Sequence, residues 1–121
     1  TKSLALTGVA ALPAWWPTAN AVINDPARPF DERFEAWMYA TECDMIAMNI
    51  ILLRAQAADR ETAYLFYYGC AVAAYINPSY DLAIQRANEA NLAASNADAF
   101  YQLIISDVQD IIDLDLMLSL L

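Results

Sequence analysis

The amino-acid sequence predicts an all-α protein: about four helices in a small bundle, with an extended N-terminal arm and an ambiguous C-terminal tail. Three observations carry this. Apolar residues recur at helical spacing through most of residues 29–121. Cap-forming residues, namely Asp59, Ser79 and Asn96 or Asp98, divide that stretch into helix-sized pieces. Pro13, Pro17, Pro26 and Pro29 crowd the start of the chain, where they argue against one long helix. The expected organisation is therefore an extended apolar arm over residues 1–28 and a helical domain over residues 29–121.

The arm carries no charge between Leu4 and Asn24, and it contains Trp15 and Trp16. That is the reverse of a disorder signature, so the arm needs a surface to lie on. Lys2 ahead of an apolar run, with Ala19-Asn20-Ala21 behind it, has the layout of a secretory signal. Pro13, Trp15, Trp16 and Pro17 interrupt its apolar core and count against that reading. A virion or cytoplasmic location is favoured over secretion.

The first expected helix covers residues 29–57. Pro29 suits a first turn, and Asp31, Glu32 and Glu35 suit the positive end of the helix dipole. Phe34, Trp37, Met38, Thr41, Met45, Met48 and Leu52 follow helical spacing on one face, and a helix this apolar is expected to be covered on most sides. Glu35, Glu42, Asn49 and Gln56 form a solvated stripe. Asp44 points away from that stripe. It is read either as an edge residue or as a buried or interfacial carboxylate paired with an Arg.

The second expected helix, residues 60–76, lacks charge after Glu61 and is expected to be the most buried. Tyr64, Tyr68, Ala71 and Tyr75 share its inner face. At 1.5 Å per residue it spans about 24 Å, short of a bilayer core of about 30 Å. Asn77-Pro78 makes a turn. Tyr80, Ala83, Ile84, Ala87, Ala90 and Ala94 then line the inner face of a third helix. Ser95-Asn96 is expected to break the chain before a fourth, in which Tyr101, Ile104, Ile105, Val108, Ile111 and Ile112 face inward. In the tail, Leu114, Leu116, Leu118 and Leu120 alternate with Asp113, Asp115, Met117 and Ser119. Period two signals a strand, whereas Leu and Met favour helix. The tail is open between the two.

Composition limits function. The chain of 121 residues is 60% hydrophobic and 17% charged, with a mean hydropathy of +0.30. Ordinary domains are about 45–50% apolar and about 25% charged. The surplus apolar surface needs a partner, a membrane or further copies of the chain. The formal net charge of -9 removes a basic nucleic-acid footprint and disfavours anionic membranes. The expected partners are other protein subunits, in a homo-oligomer or a multi-protein assembly, with no direct nucleic acid and no membrane.

No catalytic, cofactor-binding or metal-binding motif emerges. There is no His, and glycine occurs only at Gly8 and Gly69, so no phosphate loop can form. Cys43 sits between Glu42 and Asp44, which disfavours a thiolate. Cys43 and Cys70 are read as two buried free thiols, or as a single disulfide if their two helices face each other at the right depth. The residues singled out are interfacial: Trp15, Trp16, Pro17, Asp44, Leu114, Leu116, Leu118 and Leu120. Adjacent tryptophans in an extended chain point opposite ways, so one is expected to anchor in a neighbouring subunit. The expected function is a non-enzymatic structural or assembly subunit, for example a virion or connector component held by its arm. The alternatives are an acidic binding or inhibitor protein and a small exported helical protein.

Overall fold

The computed structural model describes residues 1–121 and contains helices and no strands. Two short helices, α1 (Lys2–Ala10) and α2 (Trp15–Ile23), precede two long ones, α3 (Phe30–Ile76) and α4 (Tyr80–Ser119). The helical class agrees with the sequence, but the division of the helices does not. Residues 29–121 form two helices rather than four, and the arm supplies the other two.

The expected breaks fail for a common reason. Residues 57–60, Ala-Ala-Asp-Arg, and 94–97, Ala-Ser-Asn-Ala, hold neither Gly nor Pro. Mid-helix Ser, Asn or Asp costs at most about 0.7 kcal/mol each, which packing along a long partner helix outweighs. Only Asn77-Pro78-Ser79 stops the helix, where the Ser79 amide donates to the Ala74 carbonyl at 2.8 Å. Ser79 holds the N-cap position of α4, yet its hydroxyl donates to the Asn77 carbonyl rather than capping the helix. By length, α3 and α4 span about 70 and 60 Å, and they run antiparallel. Asn49 donates to Asp107 across the hairpin at 2.7 Å.

The arm is helical, not extended. Its prolines punctuate helices instead of forbidding them. Pro13 lies in the break between α1 and α2, and Pro29 is the N-cap of α3. Pro17 falls in the first turn of α2, where a missing N–H costs nothing. The arm runs from the middle of the hairpin to its open end, as a broken third helix. Ala5 joins Cys43, Ile50, Leu53, Ala57, Tyr101, Ile104, Val108 and Ile111 in the larger core. Ala19 and Val22 join Ala36, Ala40 and Leu118 in the smaller one. Gly8 allows the close approach of α1 to α4, because a Cβ there would meet Val108 Cγ1 at 3.2 Å.

Polar contacts fasten both ends of the arm. Lys2 Nζ donates to Glu61 at 2.6 Å, and the Tyr101 hydroxyl donates to the same carboxylate. Arg33 Nε donates to the Ile23 carbonyl at 2.7 Å, and Arg28 donates to the Leu121 carbonyl. The tail is helical to Ser119, so the strand alternative falls. One continuous helix satisfies each backbone group locally, which a lone strand could not do.

Residues 60–76 are not the most buried segment: only Ala74 there is buried, while α4 buries Tyr101, Ile104, Val108 and Ile111. Absence of charge showed that residues 60–76 need an apolar partner. It did not show that the partner lies in the same chain, and the arm reaches only as far as Glu61.

Two predictions follow from this packing. Ala40 is fully buried between α2 and α3; Ala40→Leu should cost about 1–3 kcal/mol through overpacking, read by urea unfolding. The second concerns pH. The Lys2 hydrogen bond, then the Tyr101 hydroxyl, lowers the Glu61 carboxyl below its ordinary 4.5. A lowered folded value means that this contact contributes fully above pH 4.5 and is lost as pH falls through the lowered value. Amide protection in α1 should therefore drop selectively below pH 4.5, and Glu61→Gln should remove that pH dependence in hydrogen exchange.

Candidate interaction surface

α3, a helix expected to be covered on most sides, points its large apolar face outward within this chain. Phe34, Trp37, Met45 and Met48 are 47%, 46%, 54% and 59% exposed, and Met38 and Leu52 are exposed as well. The buried face is the opposite one: Ala36, Ala40, Cys43, Ile50 and Ala57. Residues two apart on a helix lie about 200° apart, so two apolar stripes offset by two positions occupy opposite sides. Both stripes have helical periodicity, and periodicity alone cannot say which one faces inward. The small-residue stripe was the available signal, because alanines admit a neighbouring backbone closely whereas methionines and aromatics hold it away.

The outer face is built, not random. Phe30 and Phe34 stack with ring centroids 6.0 Å apart, and Phe34 and Trp37 stack at 5.5 Å. A shallow apolar depression beside this ladder is lined by Ile23, Phe30, Arg33, Phe34 and Trp37.

The structure brings Trp15, Trp16 and Asp44 together. Trp15 Nε1 donates to Asp44 Oδ1 at 2.9 Å. Trp16 Nε1 donates to Oδ1 at 3.1 Å and Oδ2 at 3.0 Å. Asp44 is half-buried and pairs with no Arg, so the ion-pair reading is corrected. Successive residues on a helix diverge by about 100° rather than 180°. Two adjacent indoles in the first turn of α2 can therefore converge on one carboxylate. Both rings are half-buried: Trp15 packs against both cores and Trp16 against the smaller one.

Other residues singled out from the sequence lie apart from that cluster. Pro17 is exposed on α2. Leu118 is buried against α2 and α3, and Leu114 packs on the larger core. Leu116 and Leu120 are exposed, at 59% and 79%. A helical tail divides the leucines between faces, whereas a strand would have aligned them.

Beyond the arm, the hairpin is bare. Tyr64, Tyr68, Tyr75, Ala83, Ile84 and Ala87 line an open apolar groove near its closed end. Cys43 is buried, and Cys70 is half-buried rather than buried; both are free. Burial, with Asp115, Asp44 and Glu42 nearby, pushes the Cys43 thiol up to about 11, so it is a poor nucleophile at neutral pH. No three His, Cys, Asp or Glu side chains gather to hold a metal ion, and no helix is long and apolar enough to cross a membrane. The chain matches no protein-family model, no curated protein and no solved structure.

Asp44→Ala would leave two half-buried indole N–H groups without their acceptor. Hydrogen bonds to charged groups contribute about 1.5–3 kcal/mol each, and partial exposure favours the lower end. A loss of about 2 kcal/mol in urea unfolding is expected, with a tryptophan emission shift marking release of α2 in the folded baseline.

Proposed function

We propose that this chain is a non-enzymatic structural subunit that works by associating with other protein subunits in a larger assembly, such as a virion or connector. The observation that carries the reading is the inverted distribution of side chains on α3. Over residues 30–48, Phe30, Phe34, Trp37, Met38, Met45 and Met48 face outward, and the buried residues are Ala36, Ala40 and Cys43. A monomer would be expected to bury Phe34, Met45 and Met48 and expose alanine. Contiguous apolar surface of this kind marks an interaction site. It belongs to a helix whose other side is already covered by α4 and the arm, so it is accessible without unfolding.

The contact surface differs from the one expected from the sequence. The arm packs on its own chain, and the outward faces of α3 and of the distal hairpin are the free ones. Association of this kind calls for no reactive group, in keeping with an unreactive buried thiol.

Light scattering over a concentration series tests the reading. The chain should have a mass above its 13.4 kDa monomer. Met45→Glu with Met48→Glu should reduce that mass while leaving the unfolding midpoint nearly unchanged, because surface changes away from packed features fall within about 0.5 kcal/mol. A wild-type chain that stays monomeric throughout the series, with no mass change in the double variant, would overturn the proposal.

A further inference from the structure

The outer face of α3 follows a stricter pattern than exposure alone requires. Phe34, Met38, Thr41, Met45, Met48 and Leu52 are spaced four, three, four, three and four residues apart. That alternation is the seam spacing of helices packed knobs-into-holes. No charged residue interrupts it. We propose that this seam pairs with the same seam of a second copy, antiparallel, about a two-fold axis near Met45 and Met48.

Within the antiparallel arrangement, charge favours one register. Positions 35, 42, 49 and 56 flank the seam on one side and read Glu, Glu, Asn, Gln. Antiparallel helices bring the same flank of each copy together. With the axis between Met45 and Met48, Glu42 lies beside the partner copy's position 49, where Asn49 already donates one amide N–H to Asp107 of its own chain and can offer its second, and Glu35 lies beside the uncharged amide at position 56. Moving the axis one half-repeat toward the N-terminus would set Glu42 against its own equivalent. The two-fold also closes the assembly, using one patch on both copies.

The area is adequate. Taking roughly 200 Å² for a large side chain, half exposed, the six large residues Phe34, Trp37, Met38, Met45, Met48 and Leu52 offer roughly 600 Å² per copy. Their polar flanks raise this toward the roughly 800 Å² per partner of a stable interface. The exposed length of the seam suits another straight helix, and α3 itself is the one apolar helix of matching spacing that every copy supplies.

This inference rests on the assembly reading, and its test separates the two. Cys70→Ser leaves the buried Cys43 as the single remaining thiol. In that background, nitroxide labels at Asp31→Cys and Gln56→Cys are read separately by pulsed electron paramagnetic resonance. Antiparallel pairing about this axis places the two labels of a dimer about 46 Å apart for position 31 and about 28 Å for position 56, from 1.5 Å per residue. Parallel pairing would bring both label pairs to within roughly 15 Å, since packed helix axes are about 10 Å apart, and would overturn the antiparallel arrangement. An oligomer by light scattering whose label distances fit neither pattern, and whose mass is unchanged by Met45→Glu with Met48→Glu, would overturn the seam as the interface while leaving assembly intact. A monomer would overturn both.

Discussion

Everything in this fold depends on how closely α3 and α4 can approach. Ala36, Ala40, Cys43 and Ala57 on α3, and Ala90, Ala93 and Ala97 on α4, are buried nearly completely. Small side chains bring two backbones together along a hairpin about 60 Å long. Few bulky residues fit between them, so the interior is thin. Ile50, Leu53, Tyr101, Ile104, Val108 and Ile111 thicken it only where α1 adds a third wall. The remaining large apolar side chains have no interior to enter and are left on the outside.

The arm is consequently a structural member rather than a tether. It supplies the third helix that a two-helix hairpin lacks, over the half of the hairpin it covers. Its path is held by a few directed contacts: Glu61 receives Lys2 and Tyr101 at one end, Asp44 receives both indoles in the middle, and the Ile23 carbonyl receives Arg33 near the other. Apart from the exposed Lys2 ammonium, these contacts use polar groups that would otherwise sit partly buried and unpaired, a situation that costs more than the bond itself contributes. No buried side-chain polar atom in the chain lacks a partner. Where the arm ends, burial falls away, and the distal hairpin keeps only Ala74, Ala90, Ala93 and Ala97 buried.

The fold satisfies its polar groups internally and displays its apolar ones, and the proposed association rests on that division. The acidic Glu35 and Glu42 lie along one flank of α3 and leave its seam uncharged. The seam and the distal groove lie on different parts of the hairpin.

Much of this was legible in the residues. Ile112, expected inward with Tyr101, Ile104, Val108 and Ile111, is exposed, but the inward position of those four, helical class, the turn at Asn77-Pro78 and the surplus of apolar surface all followed from spacing and composition. So did the singling out of Trp15, Trp16 and Asp44, although not their joining. The arm was misread because a proline in a first turn and a proline in an extended strand look alike without the neighbouring helix that decides between them. The orientation of α3 was not legible, because Phe34–Met48 and Ala36–Cys43 carry the same period two residues out of phase. Periodicity is a property of one helix and comes from its own 3.6-residue turn, so the sequence by itself determined that α3 has two apolar faces. Which face turns inward is a property of two helices. It was decided only in the tertiary structure, where α4 and the arm can approach alanine closely and cannot approach methionine and phenylalanine in the same way.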